Sequence, residues 1–261
     1  MKVHAHFLQK NGGDPTEAWQ MMRRGKFTAS EFHRFVKLDG RLRTGEMPET
    51  YLCEKLFERW TGRDKPNTWF SMDVNNGVII EEKAALFAQM EYGLEIQPVG
   101  FVSDDDERFG CSPDGLLGFT GLLPDKPTEN PCGESGIEIK APALATHIKY
   151  LLAGGIPDDY FCQVHGSMFV TGCKTWHFLS YPLACYLDGF PPLHLVIERD
   201  EKFCANLADS LDVFLQRYDD AFAVLCEKNG GPPKPPGPTP DQIRAMENTT
   251  MMNGIPFTPG I

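Results

Sequence analysis

Apolar positions recur at helical spacing in the first third of the chain, alternate in the middle, and return to helical spacing near the end. DPTEAWQMMRRG (14–25) offers Asp14 as a helix cap, Pro15 in the first helical position and Glu17 to close a capping box. TASEFHRFV (28–36) repeats the device with Thr28 and Glu31, and residues 48–61 and 74–92 read as two further helices. From about 95 to 119 the pattern is that of strands, interrupted by SDDDER (103–108) and SPDG (112–115). Residues 136–141 make a short strand. PDDYFCQVHGSMFV (157–170) opens on Pro157 and reads as a helix, and KTWHFLSY (174–181) and LHLVIER (193–199) read as strands. A long amphipathic helix over 200–228 places Phe203, Leu207, Leu211, Phe214, Tyr218, Phe222 and Leu225 on one face, with Asn229-Gly230 to end it. The fold class expected is α/β, a mixed central sheet flanked by helices.

With 261 residues the chain can bury a substantial core. It has no apolar run of about 18 residues, so no membrane span is expected, and the opening MKVHAHFLQKNGGDP lacks a secretory core. Eight cysteines, none in a Cys-x-x-Cys pair, read as buried reduced thiols of a cytoplasmic protein. The seven histidines lack zinc-site spacing. A net charge of −11 argues mildly against nucleic acid as partner. Net charge is a poor guide to a local field, however. Residues 21–43 hold Arg23, Arg24, Lys26, Arg34, Lys37, Arg41 and Arg43 against Glu31 and Asp39, a local +5. The main domain is expected to span 1–228. NGGPPKPPGPTP (229–240) then reads as an extended linker, and the tail to 261 holds one short helix, DQIRAMEN. The apolar end, MMNGIPFTPGI, is expected to pack on its own body or on a neighbouring subunit.

Two short stretches carry candidate chemistry. In GIEIKAP (136–142), Glu138 and Lys140 stand two apart on a strand and share a face; Asp114 sits in the Pro-Asp-Gly turn upstream. Mg²⁺ takes oxygen ligands, few of them from protein. Asp114 and Glu138 can supply two carboxylates and the Ile139 backbone carbonyl a third oxygen, while Lys140 can hold a water and offset phosphate charge. That layout suits metal-assisted phosphodiester hydrolysis. The plainer reading is a turn beside a surface Glu–Lys pair. SDDDER reads most simply as a solvated turn.

With this much in view, SPDG…EIK resembles the PD-(D/E)xK nuclease motif, and the flanking text resembles the phage lambda exonuclease group, the YqaJ-type viral recombinases. RRGKFTASEF (23–32) is similar to that family's Arg-x-Gly-x-x-Thr-Ala-Ser segment, GVIIEE (77–82) to its Gly-x-x-x-Glu helix, YFCQVHGSMFVTG (160–172) to its Tyr-x-x-Gln-Val helix, and HLVIERDEKF (194–203) to a strand-to-helix stretch. The resemblance covers about 18–228 in the expected order. It implies a restriction-endonuclease-like core. It implies that Asp114, Glu138 and the Ile139 carbonyl hold metal, with Glu81 completing a second site. Lys140 would position the attacking water and Gln163 would orient Lys140 or that water. Tyr160, one turn before Gln163, would help line the site. Arg23, Ser30 and Ser112 match residues that bind the 5′-phosphate of the degraded strand, and Arg41 or Arg43 would match a loop residue touching the duplex. Without the resemblance, Glu81 reads as an exposed helix acid, Gln163 as an ordinary helix polar residue, Ser30 as a cap and Arg41 and Arg43 as a solvated loop. The chain departs from the family in a longer connection, GFTGLLPDKPTENPCGE (118–134), and in the tail after 229.

The function expected is a 5′-to-3′ exonuclease on double-stranded DNA ends. It would use two Mg²⁺ ions (Mn²⁺ able to substitute), release 5′-mononucleotides, and leave a 3′ strand for a single-strand annealing protein. The family also implies a homotrimer. A structure- or site-specific endonuclease or resolvase on the same metal core is the first alternative, and it would not need a terminal-phosphate pocket. A non-catalytic DNA-end binder is the second; the complete set of Glu81, Asp114, Glu138, Lys140 and Gln163 speaks against it.

Overall fold

The strand-forming stretch from 95 to 119 divides between two sheets. The computed structural model describes residues 2–4, 17–64, 72–119 and 132–231. In chain order its elements are β1 (Lys2–His4), α1 (Glu17–Arg23), β2 (Phe27–Thr28), a 3₁₀ helix (Ala29–Arg34), α2 (Glu46–Thr61), α3 (Met72–Tyr92), β3 (Ile96–Gln97), β4 (Phe101–Ser103), β5 (Phe109–Cys111), β6 (Gly115–Leu117), β7 (Ser135–Lys140), α4 (Leu144–Ala153), α5 (Asp158–Thr171), β8 (Thr175–Ser180), α6 (Leu183–Asp188), β9 (Leu193–Glu198) and α7 (Glu201–Asn229). The larger sheet runs β3-β6-β7-β8-β9, with β7 and β8 parallel and the other pairs antiparallel. The smaller runs β1-β4-β5-β2. A parallel pair cannot be closed by a hairpin, and α4 and α5 fill the crossover from β7 to β8. Both sheets are mixed and flanked by helices, as the α/β expectation requires.

Alternation along β7 explains the layering. Ile137 and Ile139 point to one face and pack with Ile80, Ala84 and Ala88 of α3. Gly136, Glu138 and Lys140 point to the other, in register with Trp176, Phe178 and Ser180 of β8. Trp176 and Phe178 belong to the main core, which α5, α7 and the 3₁₀ helix close. Its centre is aromatic: Phe214 of α7 stacks on Phe35 with centroids 4.6 Å apart and meets Phe27 edge-on at 5.3 Å.

The second capping box does not form. Residues 29–34 coil as a 3₁₀ helix, and Thr28 makes no side-chain cap bond. Its hydroxyl lies 3.2 Å from Ser30 Oγ instead, and Glu31 pairs with Arg34 at 3.1 Å. The shorter coil follows from crowding, because Phe32, Phe35 and Val36 all enter the core within five residues. The Asp14 cap, residues 120–131 of the 118–134 connection and the tail beyond Gly231 lie outside the described residues. All eight cysteines are free thiols. Six are buried as expected, but Cys53 is exposed and Cys226 is partly so. No described helix is long and apolar enough to cross a membrane.

Candidate active site

Asp114 ends the turn that leads into β6, and its placement follows from the ladder. Gly115 pairs with Ile137, and the Asp114 N–H donates to the Ile137 carbonyl at 3.2 Å. Ile139 lies beyond the last β6–β7 pair, so its N–H faces a gap. Asp114 Oδ2 fills that gap by accepting from Ile139 N at 2.6 Å. In a strand the N–H and C=O of one residue point to the same side, so the Ile139 carbonyl also faces the Asp114 side. Asp114 thus stands against the Ile139 backbone, next in sequence to Glu138.

Glu138 is almost fully buried, at 2% exposure. A lone carboxylate there would be strongly disfavoured. It is held by two donors on one oxygen: Oε1 accepts from Lys140 Nζ and from Gln163 Nε2, the latter at 2.6 Å. Gln163 therefore orients Glu138 and meets Lys140 only through that shared oxygen. The other oxygen, Oε2, is buried with no hydrogen-bond partner among the described residues. Tyr160, one turn before Gln163 on α5, places its ring 5.1 Å from Lys140 Nζ.

Electrostatics at the site call for added positive charge. Burial, then the charges of Glu138 and Glu81, push the Asp114 carboxyl well above the ordinary carboxylate range, against the opposing pull of Lys140 and the Ile139 N–H. This also places Glu81, on the α3 face that packs on β7, within electrostatic reach of Asp114. Burial alone would lower the Lys140 ammonium, but Glu138 and Asp114 outweigh it and raise it. Among the described residues no three His, Cys, Asp or Glu side chains stand close enough to cage a metal by themselves. An orphaned buried carboxylate oxygen beside a second, repelled carboxylate nevertheless fits a hard cation that keeps most of its ligands as water and phosphate.

A second cluster adjoins the first. The Arg23 guanidinium reaches across 89 residues of sequence to donate to Ser112 Oγ at 3.2 Å, and its other terminal nitrogen donates to Ser30 Oγ at 3.1 Å. Burial lowers the pKa of the guanidinium, opposed by surrounding groups that include Glu138. A guanidinium still carries its charge at neutral pH. Ser112 stands two residues before Asp114, so the SPDG turn joins both clusters. An arginine fork flanked by two hydroxyls can grip a terminal phosphate.

Two expectations separate from this group. Arg43 Nε donates to the carbonyls of His33 and Val36, at 2.7 and 2.8 Å, which ties that nitrogen to the end of the 3₁₀ helix. Arg41 is exposed in the next turn, with Asp39 at 4.0 Å. SDDDER is a turn, as read: Asp104 Oδ1 accepts from the backbone of Arg108 and Phe109. Sequence reasoning passed over Trp19, whose ring lies 4.3 Å from the Arg23 guanidinium. The i, i+4 spacing of Trp19 and Arg23 on α1 was the available signal. It also passed over Tyr150 of α4, whose ring meets that of Tyr160 edge-on with centroids 6.2 Å apart; burial, then that neighbour, push its phenol up to about 12.

Residues 18–174 match the model of the YqaJ-like viral recombinase domain. The chain belongs to that family. An alkaline exonuclease of Laribacter hongkongensis, LHK-Exo, superposes with a TM-score of 0.68 at 27% identity, covering 82% of this chain and 98% of that one. The same enzyme in complex with dAMP superposes with a TM-score of 0.69 at 26% identity, over the same shares of each chain. A phage-related exonuclease from Haemophilus somnus 129PT shares the fold, with a TM-score of 0.54 at 14% identity over 77% of this chain and 96% of that one. The ExoD protein of Escherichia coli (strain K12) is 33% identical over 80 residues, 30% of this chain and 90% of that protein. The core of this YqaJ-family chain is restriction-endonuclease-like, and the chain is a nuclease of the recombination type.

Proposed function

We propose that this YqaJ-family nuclease degrades double-stranded DNA from its ends, 5′ to 3′, releasing 5′-mononucleotides and leaving a 3′ strand for a single-strand annealing protein. One observation carries the reading. Arg23, Ser30 and Ser112 form an anion-ready pocket on the turn that also supplies Asp114. An endonuclease on the same core has no use for a terminal-phosphate grip. The dAMP bound to LHK-Exo is a mononucleotide of the kind this site would release.

Asp114, Glu138 and the Ile139 carbonyl would hold Mg²⁺, and Glu81 would support a second ion. Bound there, Mg²⁺ would supply Lewis-acid chemistry, polarising the phosphate and making its water a better nucleophile. The protein's own groups do the rest. Arg23 and the two serines fix the 5′-phosphate and so set which phosphodiester lies over the carboxylates. The Lys140 ammonium holds the attacking water and offsets charge on the phosphoryl oxygens, and the Tyr160 ring steers it. Gln163 keeps Glu138 Oε1 occupied and so leaves Oε2 for the cation.

The test is digestion of linear and circular duplex, with 5′-phosphate or 5′-hydroxyl ends, in Mg²⁺ or EDTA. The reading requires mononucleotides from linear DNA, faster from phosphorylated ends, and none in EDTA. Cutting of circles would favour an endonuclease.

A further inference from the structure

An apolar groove lies between the second half of α2 and the end of α7. It has a volume of about 410 Å³ and is lined by Cys53, Leu56, Phe57, Trp60, Leu225 and Asn229. Phe57 is 42% exposed, unusual for a phenylalanine on a helix whose opposite face packs on the core. Trp60 is fixed by an edge-on contact with Phe222, centroids 6.1 Å apart, so the groove has a rigid aromatic wall.

The chain leaves α7 at this groove. Asn229 lines it, and Gly230 and Gly231 both have positive φ, 74° and 89°. Gly231 N–H donates back to the Cys226 carbonyl at 3.0 Å, which turns the backbone over the last helical turn. The next residues are Pro232, Pro233, Lys234, Pro235 and Pro236.

We propose that Pro232–Pro236 is the occupant of this groove, lying along α2 as a polyproline helix. Three properties of the segment fit. Its four prolines have no N–H, so they enter an apolar groove without stranding donors. With three residues per turn, Pro232 and Pro235 form one edge, Pro233 and Pro236 a second, and Lys234 alone forms the third. Two apolar edges can face Phe57 and Trp60 while the ammonium stays in water, the way proline-rich segments meet aromatic grooves. The segment is long enough: five residues at ~3.1 Å each span about 15 Å, more than the roughly 10 Å that α2 covers from Cys53 to Trp60. Such docking would bind the end of α7 to α2 and fix where the tail beyond residue 240 starts. It stands apart from the nuclease reading.

Cys53 makes the proposal measurable, since it is the exposed cysteine while six others are buried and Cys226 is partly so. Full-length protein is treated with iodoacetamide, and modification of the Cys53 peptide is followed by mass spectrometry. Its rate follows the fraction of time the groove is open. A full-length variant with Pro232, Pro233, Pro235 and Pro236 all changed to Ser should modify about tenfold faster than wild type at every protein concentration. A variant with Met251, Met252, Ile255 and Phe257 changed to Ser should match wild type. Equal rates in wild type and the proline variant would overturn the proposal. So would acceleration confined to the second variant, which would make the apolar tail the occupant. Protection that fades on dilution and ignores the proline changes would name a second copy of the chain, and would also overturn it.

Discussion

Glu138 has two donors on one oxygen and none on the other, and that asymmetry dictates what single substitutions should do. Lys140→Ala removes a group proposed to act mainly on the transition state, so hydrolysis should fall by about a hundred- to a thousandfold or more while duplex binding changes far less. Gel-shift and turnover assays on one preparation check this; appreciable Mg²⁺-dependent digestion by the variant would remove Lys140 from the mechanism. Asp114→Asn keeps an acceptor for the Ile139 N–H but removes a charge that burial, Glu138 and Glu81 all disfavour. Activity should vanish, yet the melting temperature in EDTA should equal or exceed that of wild type. Arg23→Ala should lower the preference for 5′-phosphorylated over 5′-hydroxyl ends by roughly ten- to a hundredfold, since charge-assisted hydrogen bonds contribute about 1.5–3 kcal/mol each. Competition between the two ends in one tube reads the ratio directly. At this scale the Glu138–Lys140 pair was legible because a two-residue strand period fixes which side chains share a face, and Asp114 because Pro-Asp-Gly marks a turn. The Arg23–Ser112 contact was not legible from local pattern, since nothing local links residues 89 apart; only likeness to a family suggested it. The partner of Gln163 was misjudged for the same reason.

At the scale of elements, the 3₁₀ helix and α5 are held closer than side chains normally allow. A Cβ on Gly166 would lie 2.6 Å from the Phe32 ring and 3.3 Å from Ala29 Cβ. Gly166→Ala must push the 3₁₀ helix away, at a cost of about 1–3 kcal/mol. That helix carries Ser30, so the variant should melt several degrees lower and also discriminate 5′-phosphate less well. A stability loss with unchanged discrimination would mean that Ser30 does not depend on this packing. β8 and β9 carry a second testable feature. His177 Nδ1 and His194 Nε2 lie 2.9 Å apart, and burial, then His194, depress His177 from 6.5 to about 4. The unfolded chain therefore binds more protons between those values, so this contribution is present above about 6.5 and is lost as pH falls toward 4. His177→Gln should flatten the fall in melting temperature between pH 7.5 and 5. Long elements were readable from periodicity, and α2, α3, α5 and α7 agree with it to within a few residues. The short ones were not. α4 follows Ala143 and α6 follows Pro182, cap positions that make no side-chain cap bond, and β2 is two residues long, too short to show a period.

For the whole molecule, charge is the organising quantity. The chain carries −11, yet its 21–43 segment is basic and includes Arg23 of the proposed phosphate pocket. A ring of three copies would triple the acidic exterior while collecting three basic segments around a channel, so duplex would be repelled outside and retained within. Such a ring needs a heterologous joint. α3 and α6 each expose apolar side chains that such a joint would cover, Leu86 and Met90 on the first and Leu183 and Leu187 on the second. Light scattering at micromolar concentration should give about three times 29.2 kDa, and a single species at 29.2 kDa would exclude a stable ring.

The polarity of degradation tests the central claim most directly. Linear duplex phosphorylated at both 5′ ends is prepared with a label at either the 5′ or the 3′ end of one strand, and digested in Mg²⁺ under single-turnover conditions. The 5′ label should appear at once as a mononucleotide, while the 3′-labelled strand shortens step by step. Immediate release of the 3′ label, or internal fragments carrying an intact 5′ label, would contradict an exonuclease that grips the 5′-phosphate through Arg23.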